Sequence, residues 1–246
     1  MPNMQISRND LWQKTSFSTC SYLKSLRDSR ASFVHSAMQS WDKILELPFA
    51  EKIFLDDSSP DFNGMKILQL CNQINHFDCV RYNTMKHPPH SNFGILISLN
   101  LCKFDYILHI DDDIQIVGTH QDCINIIEHG LTILNEEKNI LGINLIDISV
   151  SDGGRWGPSK GKNYSGSDVF SHPTKFFGNA ASLMRREILE VVTLKDIFNW
   201  GEEQPDNWEE LVSNSNDTSS FLVAKVGTPF TVNKDTWLFS STSRLP

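Results

Sequence analysis

The sequence predicts an α/β domain with a mainly parallel central sheet flanked by helices, followed by a smaller subregion. Three observations point there. Short apolar runs alternate with helix-patterned segments over roughly the first 110 residues. Two of those runs stop abruptly in acid, at Asp56–Asp57 and at Asp111–Asp113. The chain has 246 residues, 39% hydrophobic and 21% charged, which suits one soluble globular domain with a sizeable core. Residues 1–246 are therefore read as a single domain, with its first functional half over about 14–118 and its second over about 119–246.

The elements follow in order. KTSFSTCSYL (14–23) reads as the first strand and its loop. After turn-type residues at Asp28 and Ser29, Val34, Ala37, Met38, Trp41 and Leu45 recur at helical spacing. EKIFLDD (51–57) is a buried-type strand, SSPD a turn and helix start, and Met65, Leu68, Cys71 and Ile74 a second helix face. FDCVRY (77–82) is a third strand, SNFGILISLNLC (91–102) a third helix, and FDYILHI (104–110) a fourth strand. Thr119 and Asp122 have the spacing of a capping pair, ahead of a helix face carrying Ile124, Ile127, Leu131 and Leu134. ILGINLI (140–146) is another strand. Residues 151–176 are rich in Gly, Ser and Lys, lack an apolar period, and are too long for an ordinary connection, so they read as functional or disordered. FFGNAASLMRREILEVV then enters a helix, with Arg185 and Arg186 on the surface at its start. NWGEEQPDNWEEL (199–211) is an acidic, aromatic loop, and residues 216–232 read as a helix, a stop at Gly227 and a late strand.

The net charge of -8 argues against a general nucleic-acid binder. No apolar run approaches the ~18 residues of a membrane helix, and the first residues lack a signal-type core. Five scattered cysteines with no CxxC pair read as reduced thiols in a cytoplasmic protein and disfavour zinc.

In parallel sheets ligands bind outside the carboxyl ends of the strands. Two acidic strand ends on that rim suit a cation or a ribose. Three adjacent aspartates repel one another and cost stability when buried without partners. If the strand stays extended, Asp111 and Asp113 point one way and Asp112 the other. Two carboxylates on one side suit Mn²⁺ or Mg²⁺, completed by substrate phosphates and water; a solvated acidic turn is the plainer alternative. His109, inside the fourth strand, reads as a satisfied core histidine, and Trp208 as loop packing.

FDYILHIDDDIQIVG, EKIFLDDSSPD and FFGNAASLMRREIL, in this order and spacing, resemble nucleotide-sugar glycosyltransferases of the GT-A fold, especially the inverting group numbered family 2. The resemblance covers roughly residues 14–240, nearly the whole chain. It implies a metal-dependent transfer of sugar from a nucleoside-diphosphate sugar, a UDP-sugar first among them, to a hydroxyl acceptor. That acceptor would be a glycan or a lipid-linked glycan in surface polysaccharide synthesis, reached through peripheral membrane contact. Carried over by position, Asp56 or Asp57 would meet the nucleobase or ribose, Thr15 to Ser18 the nucleotide, and Asp112 the ribose or donor sugar. Asp111 and Asp113 match the metal-binding DxD, with Asp113 the better placed for direct metal ligation. The base is Asp217, or its rivals Glu202 and Glu203, since Asn216 stands where the family has Glu. Gly178 and Asn179 lie in the segment that matches the acceptor side, and Trp200 offers an aromatic face on which an acceptor sugar could stack. Arg155, Lys160 and Lys162 lie in the Gly-rich segment and could close on the diphosphate, with a solvated loop the plainer alternative, and His172 lies near the end of that loop. Two further readings compete. A phosphatase of the haloacid dehalogenase type places its DxD nearer the N-terminus, and a glycosyltransferase-like module binds sugar nucleotide or glycan without turnover.

Overall fold

The first strand is polar in composition yet lies at the centre of the sheet, because most of its hydroxyls are satisfied by neighbouring elements; Thr19 Oγ1 has no partner among the described residues. The computed structural model describes residues 8–84, 92–138, 140–145, 162–164, 167–171, 181–191, 222–224, 231–233, 236–237 and 239–241. In chain order its strands are β1 (Thr15–Ser21), β2 (Glu51–Asp56), β3 (Cys79–Tyr82), β4 (Tyr106–Ile110), β5 (Ile114–Ile116), β6 (Gly142–Asn144), β7 (Lys162–Tyr164), β8 (Ser167–Ser171), β9 (Ala181–Arg185), β10 (Leu222–Ala224), β11 (Thr231–Asn233), β12 (Thr236–Trp237) and β13 (Phe239–Ser241). Its helices are α1 (Arg8–Trp12), α2 (Ser29–Gln39), α3 (Asp42–Leu45), α4 (Asn63–Leu70), α5 (Asn92–Leu101), α6 (His120–Glu136) and α7 (Ile188–Val191). In β1, Thr15 Oγ1 donates to the Leu11 carbonyl at 2.7 Å, Ser16 Oγ to Glu51 at 2.7 Å and Ser18 Oγ to Ser98 at 3.1 Å. Each bond removes the penalty for burying a hydroxyl.

The main sheet has the order β3-β2-β1-β4-β9-β6. β1 to β4 run parallel, and β9 runs antiparallel to both β4 and β6. The register places Ser21 beside Asp56 and Asp56 beside Tyr82, so the carboxyl ends of β1, β2 and β3 form one edge. One core packs Phe17, Phe54 and Leu108 with Val34 and Trp41, Leu68 of α4 and Leu131 of α6. The other packs Ile95, Leu96 and Leu99 of α5 against Ile53, Ile107 and Met184. Helices thus cover both faces, as a parallel sheet requires. Thr119 caps α6 through a reciprocal pair with Asp122.

Several sequence readings need correction. The helix expected through Leu45 breaks at Ser40, whose hydroxyl turns back onto the Ala37 carbonyl at 2.7 Å. Trp41 then buries its ring and donates Nε1–H to the Ile114 carbonyl at 2.8 Å. The run expected to enter a helix does so only at α7, after first supplying the unexpected strand β9, since pairing on both edges outweighs the helix propensity of Ala, Leu and Met. Residues 151–176 contain the paired strands β7 and β8. β8 also pairs with β10, where a helix was expected, and the late strand is present as β11. Arg185 is buried, not a surface residue. It donates to the carbonyls of Ile140 (2.9 Å), Leu134 and Glu137 (3.4 Å), satisfying orphan acceptors where α6 ends. Arg186 is exposed and donates to the Cys102 carbonyl at 2.9 Å, just beyond α5.

Candidate functional site

At the end of β2 the acid turns inward. Asp56 is fully buried and accepts from the backbone N–H of Ser59 at 3.0 Å and of Met65 at 2.9 Å. It therefore satisfies an amide in the first turn of α4, which has no capping side chain of its own. Gly64 packs flat against it; a Cβ there would sit 2.9 Å from the Asp56 carboxyl carbon. Burial pushes the Asp56 carboxyl up from its ordinary range, while the Ser59 and Met65 hydrogen bonds pull it down. Asp57 is also buried and accepts from Asn83 Nδ2 at 2.8 Å. Its own N–H donates to the Ser21 carbonyl at 2.8 Å. The next loop is tight, with left-handed backbone at Ser58, Asp61 and Phe62. Exposed Phe62 packs on Tyr82 at 4.5 Å between ring centroids.

At the end of β4 the chain does not stay extended. A turn closes through the Ile114 N–H onto the Asp111 carbonyl at 3.2 Å, and β5 comes directly after it. Asp112 points inward, with its side chain 2% exposed. Its carboxylate accepts from Ser21 Oγ at 2.7 Å and from Arg30 Nη2 at 2.5 Å. Burial pushes the Asp112 carboxyl up to about 7, and the Arg30 guanidinium opposes that shift. Asp112 in turn raises Arg30 above its ordinary value. The same guanidinium reaches Asp113 Oδ2 at 3.7 Å and donates from Nε to the Tyr22 carbonyl at 3.4 Å. Asp111 and Asp113 keep side chains 28% and 16% exposed. His109 is fully buried beneath them, with Nε2 at 3.3 Å from Asp111 Oδ1.

The expectation that Asp112 faces a ribose or sugar is corrected: its oxygens are taken by Ser21 and Arg30 inside the protein. Thr15 and Ser18 lie at the start and middle of β1, buried, and Ser21 is where β1 reaches the edge. Lys162 is placed by its backbone in β7. Asp217, Glu202, Glu203, Gly178, Asn179, Trp200, Trp208, Arg155, Lys160 and His172 lie outside the described residues. Sequence reasoning missed Ser21 and Arg30. The available signal was indirect: a buried aspartate needs a cation or donors, and Arg30 opens the helix next after β1.

Asp111 and Asp113 are both partly exposed carboxylates, the ligand type suited to a hard divalent cation that takes one or two protein carboxylates and completes its shell with phosphate oxygens and water. Among the described residues no group of three or more His, Cys, Asp or Glu side chains surrounds a common point. A metal here would therefore draw most of its ligands from substrate and solvent.

The architecture is similar to that of S. aureus TarS. The TarS 1–349 fragment matches with TM-score 0.54 at 15% identity, covering 94% of this chain and 60% of that one. The chain has the GT-A fold of nucleotide-sugar glycosyltransferases. A longer TarS chain matches with TM-score 0.56 at 13% identity over 93% of this chain and 36% of that one. The 1–349 fragment in complex with UDP matches with TM-score 0.54 at 14% identity, over 92% and 59%. This chain thus spans less than two thirds of the TarS chains it matches. The mannosyltransferase PcManGT from Pyrobaculum calidifontis, solved with GDP-Man and Mn²⁺, is a looser likeness (TM-score 0.45, 10% identity, 72% and 46% covered) and does not bear on a metal here. No family model matches the sequence, and no curated protein matches it either.

Proposed function

We propose that this chain is a metal-dependent glycosyltransferase that moves a sugar from a nucleoside-diphosphate sugar to a hydroxyl acceptor, with inversion. The observation that carries the reading is the division of labour at the end of β4. Asp112 is locked inward by Ser21 and Arg30, and this leaves Asp111 and Asp113 partly open on the edge of a GT-A sheet. TarS bound to UDP supports a uridine nucleotide as the first donor to test. The acceptor class is a glycan or lipid-linked glycan; among the described residues no helix is long and apolar enough to cross a membrane.

In this mechanism Asp111 and Asp113 are the residues that would hold Mn²⁺ or Mg²⁺, and the ion would supply charge neutralisation for the departing diphosphate. Arg30 and Ser21 fix the turn that presents those carboxylates. Asp57, at the end of β2 beside Ser21, is the better placed of the two β2 acids for the nucleoside, since Asp56 is committed to backbone amides. A base removes the acceptor hydroxyl proton as the oxygen attacks the anomeric carbon. That base is sought among Asp217, Glu202 and Glu203, with Gly178, Asn179 and Trp200 on the acceptor side.

The test is thermal stability with UDP, GDP, CDP and dTDP, each with and without Mn²⁺, on wild type and Asp113→Ala. Ligand at 100 times its Kd adds ~2.7 kcal/mol to the native state. A metal-dependent rise with one nucleotide, lost in Asp113→Ala, is the expected result. No rise with any nucleotide defeats the reading. Metal-dependent release of nucleoside diphosphate from the matching sugar nucleotide then separates an enzyme from a module that only binds.

A further inference from the structure

We propose that His109 is a positioning residue for Asp111, acting through a buried line Ser182–His109–Asp111; this rests on the donor-site reading above. His109 and Ser182 are both fully buried and face each other across the β4–β9 ladder. Cross-strand partners share a face of the sheet, with Cβ atoms about 4.5–5.5 Å apart. His109 Nε2 lies 3.3 Å from Asp111 Oδ1. An ionised carboxylate only accepts, so Nε2 is the nitrogen that donates, and in a neutral ring Nδ1 is left as an acceptor. That Nδ1 has no hydrogen-bond partner among the described residues, and neither has Ser182 Oγ.

Two orphaned polar atoms on facing positions are therefore an acceptor and a rotatable O–H donor. Buried orphans cost stability, and a fold that retains a complementary pair beneath its binding edge calls for an explanation. Ser182 O–H, turned onto Nδ1 directly or through one water, sets the tautomer that sends Nε2–H to Asp111. Hydrogen bonds of this kind orient ligating carboxylates and tune metal affinity about 10–100-fold. The triple aspartate is then held from two sides. Arg30 and Ser21 fix Asp112 on one face, and His109 fixes Asp111 on the face that also carries Ile107 and Met184.

The experiment uses the full chain with His109→Leu, His109→Gln and Ser182→Ala. Two quantities are read: the melting temperature without ligand, and the Mn²⁺ concentration giving half of the shift produced by whichever of UDP, GDP, CDP or dTDP stabilises the wild type most. His109→Leu breaks the hydrogen bond to Asp111 and leaves Ser182 Oγ without its acceptor, so its unliganded melting temperature is expected to fall slightly. Its half-saturating Mn²⁺ is expected to rise about tenfold or more. His109→Gln, which keeps an N–H donor, recovers part of this, and Ser182→Ala moves Mn²⁺ demand in the same direction by a smaller factor. An unchanged Mn²⁺ requirement in His109→Leu overturns the inference and makes His109 a packing residue. If His109→Leu does not fold, His109→Gln and Ser182→Ala decide by the same criterion: an unchanged requirement in both overturns it. Absence of any Mn²⁺-dependent shift in wild type instead defeats the donor-site reading, and this inference with it.

Discussion

The two acidic strand ends look alike in the sequence and do opposite work in the fold. At the end of β2, Asp56 spends both oxygens on backbone amides, and its neighbour Gly64 leaves no room beside it. At the end of β4, only the middle aspartate is buried, and the two around it stay partly open. The difference lies in the element each strand leads into. After β2 the chain runs through a tight loop into α4, whose Met65 amide, with that of Ser59 in the loop, draws the carboxylate inward. After β4 it makes a turn into β5 that leaves Asp111 and Asp113 partly exposed, while Arg30 pairs with the buried Asp112 between them. Acid at the end of a parallel strand can therefore serve the start of a following helix, as Asp56 does, or stay partly open, as Asp111 and Asp113 do.

The contrast between the two ends can be broken most sharply at Asp113. Asp113→Asn is expected to lower turnover of the matching sugar nucleotide about 100-fold or more while leaving urea unfolding near wild type. A variant that keeps full turnover would remove the β4 end from the chemistry. Asp56→Ala should do the reverse, leaving two buried N–H groups unpaired, at about 1–3 kcal/mol each; equilibrium unfolding measures it, and a loss near zero would free Asp56 for a ligand role. A further effect concerns Asp112 and pH. Its carboxyl is held at about 7, above the ordinary 3.8, so the native state prefers it protonated. That stabilisation is full below the unfolded value and is lost as pH rises through about 7. Asp112→Asn lacks the titration, so wild type should lose more stability than the variant from about pH 4 to pH 7, by at most about 1.4 kcal/mol per pH unit. Parallel curves for the two proteins would show that Arg30 keeps Asp112 ionised throughout.

Local rules made much of this readable. Apolar runs ending in acid located β2 and β4, and Thr119 with Asp122 located the start of α6, because those signals act within a few residues. β9 was not readable: Ala181–Arg185 carries no strand pattern, and its conformation is imposed by β4 and β6 on either side. Arg185 was misjudged for the same reason, since its partners are carbonyls of Leu134, Glu137 and Ile140, distant in sequence. At the candidate site, alternation assigned Asp111 and Asp113 to one side on the premise of an extended strand. Asp111 and Asp113 are both partly exposed, but after a turn and not along an extended strand, and the locking residues Ser21 and Arg30 come from elements far upstream.

The place of β9 also bears on how the chain reaches its final form. β4 ends at Ile110, and its partner on one side does not begin until Ala181. β6 likewise pairs with β9 and is made before it. During synthesis the sheet edge at β4 stays bare while all the intervening residues emerge, and such long-range closure is slow and leaves an open strand edge exposed to other chains. The emergence of a short Ala-Ser-Leu-Met-Arg segment thus sets the earliest moment at which this sheet can be completed.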